Sequence, residues 1–227
     1  MALNFVEKID NAVKIKNILI SVSDKTGLDT FIPRLLTINP DVTIYSTGGT
    51  YSKLKEIMGT RGSGTLLQVS EYTGQPEMQG GLVKTLDFKI YLGLLSETYN
   101  PAHQDDLKRV QGVNIDMVIV NLYPFAETIA KADSTAEMAR ANIDIGGPCM
   151  IRASAKNYLR VASVTNPEDY PLILKEMEEH QGMLSFERRL ELAKKAFDHT
   201  ANYDTHISKY FAKLAAEKVK EIYNFLK

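Results

Sequence analysis

Short apolar runs alternate with amphipathic stretches along most of the chain. Asn17–Val22 and residues 42–45, 117–120 and 161–164 are compact apolar runs of the kind that form buried strands. A polar or glycine-rich turn follows, and after the first turn the apolar residues of 28–36 recur at helical spacing. This alternation predicts βαβ units, and therefore a three-layer α/β fold with a mainly parallel sheet and helices on both faces.

Other stretches give shorter signals. Residues 89–95 form a further apolar run, which indicates a strand or part of one. Residues 104–111 favour a short helix. Asn166 and Pro167 suit the cap and the first turn of a helix that runs to His180.

The C-terminal part of the chain has a purely helical pattern. From Ser185 onward the apolar residues keep helical spacing almost to the end, which predicts two or three helices with a break near residues 202–204. We therefore expect an α/β domain over residues 1–184 and a helical C-terminal extension over residues 185–227 that packs on it.

Composition and charge restrict the classes of function. The chain has 227 residues, of which 44% are hydrophobic and 24% charged, as in ordinary globular domains. Its 27 Lys and Arg and 28 Asp and Glu give a net charge of −1, which argues against a general affinity for nucleic acids or anionic membranes. With a single cysteine and no HExxH pattern, we expect no intramolecular disulfide and no metal site.

The sequence also gives no sign of export or membrane insertion. No apolar run reaches about 18 residues, the length that a membrane-spanning helix needs. The N-terminus carries Glu7 and Asp10 and has no continuous apolar segment, so we expect no signal peptide. Cys149 as the lone cysteine suits a reducing compartment, and a cytoplasmic location is expected.

Two turns at the predicted carboxyl edge of the sheet suit an anion. Residues 23–27 (SDKTG) and 46–50 (STGGT) each leave a predicted strand and open a predicted helix. Ligands of parallel sheets bind at this edge, and free amides at helix starts favour anions. Neither turn has the spacing of a triphosphate loop or a dinucleotide fingerprint, so a monophosphate fits better. Ordinary helix caps and tight turns have the same composition.

More polar groups follow later in the chain. Lys84 and Thr85 come just after a glycine pair, and Asn121 ends the apolar run 117–120. Asp144 precedes a predicted helix that carries Lys156. If Lys156 folds back toward Asp144 the two form an acid–base pair, although an ordinary salt bridge is the commoner outcome for such a pair.

Eight stretches occur in an order that resembles a known family. They are SVSDKTG, STGGT, VSEYTGQPEMQGG, VKTL, VIVNLYPF, NIDIGG, RASAKN and AFDHTANYD, and they run from about residue 17 to about residue 210. Together they resemble the IMP cyclohydrolase domain of bifunctional purine-biosynthesis proteins. The resemblance implies a methylglyoxal-synthase-like fold.

The resemblance also implies an enzyme, a hydrolase of the class that acts on cyclic amidines. Its reaction would be the last step to inosine monophosphate: formamidoimidazole-carboxamide ribonucleotide closes its ring and loses water, without metal or organic cofactor. Carried over by motif, the implied nucleotide contacts are Ser23, Asp24, Lys25, Thr47, Gly48, Gly49, Thr50, Thr85, Asn121 and Ile145. The implied catalytic residues, of which the first transfers the proton, are Lys156, Asp144, Tyr123 and Lys84.

Three positions depart from the family pattern, which usually reads GGRVKTLHP. Leu82 replaces an arginine expected to touch the ligand, and Asp87 and Phe88 replace His-Pro. Leucine cannot supply the bidentate donor of an arginine, so we expect ligand contacts to differ at this position.

The resemblance implies partners as well. A purine nucleoside monophosphate is the implied ligand. In the family a transformylase follows this domain, whereas this chain ends where that domain would begin, so it is either a stand-alone cyclohydrolase or an excised part. A separate transformylase and a second copy of the chain are the candidate partners.

Two other classes of function compete with this interpretation. A methylglyoxal-synthase-like carbon–oxygen lyase would use histidine and aspartate acids at the strand ends, but the four histidines lie outside those turns in the sequence. A non-catalytic nucleotide sensor on the same fold would tolerate Leu82 and Asp87. Against the sensor, the implied catalytic residues Lys84, Tyr123, Asp144 and Lys156 are all present.

Overall fold

The centre of the protein is a five-stranded parallel sheet. The computed structural model describes residues 5–62, 64–76 and 83–225. The strands of these ranges are β1 (Ala12–Lys14), β2 (Asn17–Val22), β3 (Thr43–Ser46), β4 (Leu66–Gln68), β5 (Met117–Asn121), β6 (Ala162–Val164) and β7 (Met183–Ser185). The parallel sheet has the order β4-β3-β2-β5-β6, and β1 and β7 form a separate antiparallel pair.

Helices cover both faces of this sheet. The helices of the described ranges are α1 (Leu28–Ile38), α2 (Gly48–Met58), α3 (Val69–Thr73), α4 (Phe88–Leu95), α5 (Pro101–Arg109), α6 (Phe125–Ala130), α7 (Ala136–Ala141), α8 (Gly146–Lys156), α9 (Tyr170–Glu179), α10 (Phe186–Phe211) and α11 (Ala216–Lys220). Short 3₁₀ turns occupy Gly59–Gly62 and Pro167–Asp169.

The alternation of side chains along β2 explains the two-sided core. Ile18, Ile20 and Val22 belong to one hydrophobic cluster, which α1, α2 and α9 cover. Leu19 points to the opposite face and belongs to a second cluster with residues of α4, α8 and α10. Each fully buried side chain of this size stabilises the fold by roughly 1.5–3 kcal/mol. The predicted three-layer α/β architecture is confirmed.

The prediction of a strand at residues 89–95 is wrong, because this segment forms α4. The Asp87 carboxylate caps the helix by accepting a hydrogen bond from the Lys89 amide at 2.8 Å. Ile90 and Leu94, four residues apart, are buried in the second cluster. A short apolar run does not distinguish a strand from a buried helix, and here the cap decides.

The predicted break near residues 202–204 is also wrong. α10 continues without interruption over 26 residues. Asn202 is exposed and its side chain donates to Asp198 at 3.2 Å, so this weak helix former is accommodated on the outer face. Tyr203 is buried on the inner face and holds the helix against the core. No described helix, α10 included, is long and apolar enough to cross a bilayer.

Arg189 joins α10 to three other parts of the chain. The side chain is fully buried and donates to the carbonyls of Asp10, Tyr158, Leu159 and Leu184. Each bond to a charged donor contributes roughly 1.5–3 kcal/mol, which offsets the cost of burying the guanidinium. The part of α10 around Arg189 therefore belongs to the core of the protein, whereas α11 buries no residue.

Candidate active site

The carboxyl ends of β2, β3 and β5 surround a cavity of about 320 Å³. In the sheet Val22 pairs with Asn121 and Ile20 with Ser46, so the turns after these strands emerge side by side. α1, α2 and α8 all begin next to these turns. Of the site residues predicted from the sequence, all except Asp24 and Lys156 line this cavity. The edge at which parallel sheets bind ligands is therefore where the predicted residues meet.

Lys84 lies beside the turn that leads from β3 into α2. Gly48 has a φ of +48°, a backbone conformation that side chains disfavour. A Cβ at this glycine would lie 2.8 Å from the Lys84 Nζ. The ammonium thus occupies the space that Gly48 leaves open, beside the free amides of α2.

Thr50 lines the cavity but uses its hydroxyl within the protein. The hydroxyl accepts a hydrogen bond from the Val22 amide at 3.1 Å and donates one to the Val22 carbonyl at 3.0 Å. It links the end of β2 to α2 and is buried. Its hydroxyl is therefore engaged within the protein, and its contact with a ligand stays a prediction.

Asn121 holds the turn after β2. Its side-chain oxygen accepts hydrogen bonds from the amides of Ser23 and Asp24 at 2.7 and 2.9 Å, and its nitrogen donates to the Asp24 carbonyl at 2.8 Å. This clamp fixes the turn from the neighbouring strand. Sequence reasoning found the residue and expected a ligand contact, but not this pairing.

Asp24 does not line this cavity, and its contact with a nucleotide stays a prediction. The residue is exposed, and its carboxylate accepts hydrogen bonds from the amide and the hydroxyl of Thr26 at 2.9 and 2.6 Å. These bonds hold the pKa of Asp24 below its usual range. The side chain shapes the turn and leaves Ser23 and Lys25 on the cavity wall.

Asp144 caps the helix that follows it. Its carboxylate accepts a hydrogen bond from the Gly147 amide at 2.9 Å, at the start of α8. Burial raises the pKa of Asp144, and the amides of Gly147 and Tyr123 partly oppose this shift. The result is a partly buried carboxyl group, next to free helix amides, whose proton affinity is higher than usual.

Tyr123 completes the wall beside Asp144. Burial and the charge of Asp144 both raise the pKa of Tyr123, so its hydroxyl stays protonated at neutral pH. Across the α8 start, the Thr85 hydroxyl lies 2.9 Å from the position of a Cβ on Gly146. An acid, a base and helix amides therefore share one end of the cavity.

The predicted pairing of Lys156 with Asp144 is wrong. Lys156 is exposed and is the last residue of α8, whereas Asp144 precedes the first. A helix from Gly146 to Lys156 is about 15 Å long, which no lysine side chain can fold back across. Lys156 lies at the opposite edge of the sheet from the cavity.

A second cavity lies on the other side of the Asn121 turn. It measures about 690 Å³, and His199 and His206 of α10 line it together with Asp24. Burial lowers the pKa of His199, which keeps the imidazole neutral at pH 7. Neither histidine lines the first cavity. Within the described residues no cluster of three metal-ligating side chains occurs.

Comparison with known proteins identifies the family of the chain. The family model of the MGS-like domain matches residues 28–149, which is more than half of the chain. The chain belongs to the MGS-like domain family. A second model, that of the AICARFT/IMPCHase bienzyme, matches residues 154–226 of this MGS-like protein.

Relatives of this MGS-like protein share nearly half of its sequence. It is 49% identical over 201 residues to the bifunctional purine biosynthesis protein PurH of Neisseria meningitidis serogroup A, and 46% identical over 200 residues to PurH of Prochlorococcus marinus. Each match covers 88% of this chain but 37% of the relative. The chain therefore spans little more than a third of the curated relatives' length.

A solved structure agrees in fold. The crystal structure of ForH has 30% sequence identity and a TM-score of 0.71, and the match covers 86% of this chain and 98% of that one. The three-layer architecture thus belongs to a fold that this MGS-like protein shares with ForH.

The departures from the motif pattern differ in what they do. Leu82 lies outside the described residues. Asp87 caps α4, and Phe88 is 64% exposed.

The sequence analysis did not identify Tyr203 as a functional residue, although the stretch AFDHTANYD contains it. Its hydroxyl accepts a hydrogen bond from the Asp144 amide.

Proposed function

We propose that this chain is an IMP cyclohydrolase, which converts formamidoimidazole-carboxamide ribonucleotide to inosine monophosphate with release of water. The observation that carries the proposal is a single cavity that has phosphate-binding groups at one end and acid–base groups at the other. Lys25 and the start of α2 suit a phosphate, while Asp144 and Tyr123 form an acid–base pair of side chains. The name and the high identity of the PurH relatives support the same reaction.

The phosphate end would bind the nucleotide. Lys25 lies on the cavity wall, and its ammonium donates to the Ser23 carbonyl at 3.3 Å, which orients it. The amides of Gly48 and Gly49 open α2, where the helix dipole favours an anion. Binding there is remote from the reacting atoms and holds them at reacting distance.

Ring closure joins the carboxamide nitrogen to the formyl carbon. One proton leaves the carboxamide nitrogen and one leaves the formamido nitrogen, and the formyl oxygen departs with both as water. We assign Asp144 as the base for the first proton, because burial raises the pKa of this carboxyl and so strengthens it as a proton acceptor. Lys84 would polarise the carboxamide carbonyl.

Charge develops on the formyl oxygen during the attack. The amides of Ile145 and Gly146 at the start of α8 would stabilise it as an oxyanion hole. Tyr123, whose hydroxyl stays protonated, would then donate a proton to the departing oxygen. Lys156 has no part in this assignment, since it lies at the far end of α8.

The proposed reaction also implies a location, an enzyme class and a source of substrate. We infer a cytoplasmic hydrolase of the class that acts on cyclic amidines, supplied with its formylated substrate by a transformylase, and active without metal or organic cofactor. The bifunctional character that the name of the PurH relatives states supports a second enzymatic activity nearby. A homodimer is the expected assembly.

One experiment separates this function from its competitors. The protein is incubated with the formylated ribonucleotide, and ultraviolet absorbance follows the formation of inosine monophosphate. A parallel reaction with dihydroxyacetone phosphate tests for methylglyoxal. Inosine monophosphate formation supports the proposal, whereas nucleotide binding without turnover identifies a sensor, and methylglyoxal identifies a lyase.

A further inference from the structure

The C-terminal helix reaches the candidate active site through one hydroxyl group. Tyr203 lies on α10 and is only 9% exposed. Its Oη accepts a hydrogen bond from the Asp144 amide at 2.7 Å and donates one to the Asn142 carbonyl at 3.3 Å. A single side chain therefore fixes both ends of the short main-chain segment that carries the Asp144 carboxyl.

The ring of Tyr203 is itself held in place. It packs edge-on against Phe125, with 6.3 Å between ring centroids and an angle of 70° between the rings. Phe125 begins α6, two residues after Tyr123. The same tyrosine thus connects the loop of Asp144 with the turn of Tyr123.

Fixing this main chain matters because the Asp144 carboxyl depends on other amides. It accepts a hydrogen bond from Gly147 at 2.9 Å, and the Tyr123 amide also stabilises its charged form. A small displacement of the loop would lengthen these bonds. Catalytic groups lose effectiveness when their geometry is displaced by even about 1 Å.

We propose that Tyr203 is a positioning residue, which holds the main chain at Asp144 so that this carboxyl can act as the base. Tyr203 lines the second cavity and not the first, so it acts without touching the ligand. The role of Asp144 as base rests on the proposed function, whereas the bracing of its main chain does not. Burial raises the pKa of Tyr203, and its hydroxyl therefore remains a donor over the working pH range.

The test is Tyr203→Phe, which keeps the ring and removes the two hydrogen bonds. Tyr210→Phe is the matched control, because Tyr210 lies on the same helix face and also packs edge-on against Phe125. We expect Tyr203→Phe to lower kcat about tenfold, the order of one buried hydrogen bond, with KM within about twofold of the parent. Tyr210→Phe should match the parent in both constants.

The pH profile gives a readout that a purely structural role would not move. If the amide bonds to the Asp144 carboxylate loosen, its pKa rises, and the acid limb of kcat should move to higher pH in Tyr203→Phe. The other ionisable groups near this loop are Lys25 and Lys84 on the cavity wall, Tyr123 beside the loop and Asp204 on α10. The substitution leaves all of these in place.

Hydrogen exchange at the Asp144 amide tests the inference independently of activity. The amide should exchange about tenfold faster in Tyr203→Phe and at the parent rate in Tyr210→Phe. Unchanged exchange, or a kcat equal to the parent's in an active enzyme, overturns the proposal. If the parent forms no inosine monophosphate, the cyclohydrolase function and the catalytic part of this proposal fail together, while faster exchange in Tyr203→Phe alone still supports bracing of the loop.

Discussion

The Lys84 ammonium lies 2.8 Å from the position that a Cβ on Gly48 would occupy. Because Gly48 has no side chain, the ammonium can approach the main chain at this point. The lysine comes from a segment remote in sequence and reaches the start of α2 through this gap. The glycine conformation and the position of the cation in the cavity are therefore one structural feature.

Gly48→Ala should disturb both parts of this feature. An alanine is strained at a φ of +48°, and its methyl group would displace the Lys84 ammonium. We expect a loss of about 1–2 kcal/mol in the free energy of unfolding and weaker binding of inosine monophosphate. Chemical denaturation and titration calorimetry measure these effects.

Gly49→Ala is the matched control, since no described atom lies within 4 Å of its added Cβ. Gly49 is also free of the positive φ of its neighbour. A destabilisation by Gly49→Ala as large as that of Gly48→Ala would contradict the explanation.

Lys25→Ala should weaken binding more than it slows chemistry. A phosphate bound by Lys25 is remote from the reacting atoms, so the lysine stabilises the ground state and the transition state alike. We expect a loss of about 1.5–3 kcal/mol in binding of inosine monophosphate, measured by calorimetry. Lys55→Ala, an exposed lysine of α2, is the control. A fall in kcat at unchanged KM would argue against a phosphate-anchoring role.

Asp144→Asn should remove the acid limb of the activity profile. Burial raises the pKa of Asp144, so the base is lost as pH falls through a value above the usual range for aspartate. We expect kcat to fall by about 10²–10⁴-fold in the variant, with little remaining dependence on acid pH. Asp133→Asn, an exposed residue, should keep the parent profile.

The same pKa shift affects stability with a definite sign. Since the folded-state pKa is raised, the folded protein binds this proton more tightly than the unfolded chain does. The stability due to Asp144 is therefore complete below the unfolded pKa and is lost as pH rises through the folded value. Asp144→Asn should remove this part of the pH dependence of unfolding; an unchanged curve would show that Asp144 does not cause it.

Lys156→Ala should leave binding of inosine monophosphate within about threefold of the parent. Its side chain lies about 15 Å of helix away from the cavity. Calorimetry compares it with Lys84→Ala, which should weaken binding clearly. Binding weakened tenfold by Lys156→Ala would mean that this lysine reaches a ligand by a route outside a single copy of the chain.

The sequence predicted the central strands well because their side chains are buried on both sides. β2 and β5 are continuous apolar runs, and such runs have few other interpretations when turns flank them. β1, β4 and β7 were missed because strands of three residues are too short to show a periodic pattern. α4 was misassigned because its strongest evidence, the Asp87 cap, is a hydrogen bond within three residues.

The candidate site could be predicted in residue types but not in roles. The turns at 23–27 and 46–50 follow strands, and parallel pairing brings such turns together. Whether Asn121 and Thr50 contact a ligand or the main chain depends on distances that no pattern contains. The pairing of Lys156 with Asp144 fails for a different reason, since the length of α8 alone separates the two residues.

The contacts of α10 with the rest of the chain affect the order in which the protein can fold during synthesis. Arg189 on α10 bonds to the carbonyl of Asp10, 179 residues earlier. During synthesis the turns at 23–27 and 46–50 leave the ribosome before Tyr203 does. These two turns are therefore made well before the side chain that braces the main chain at Asp144, and the complete cavity wall has to wait for α10.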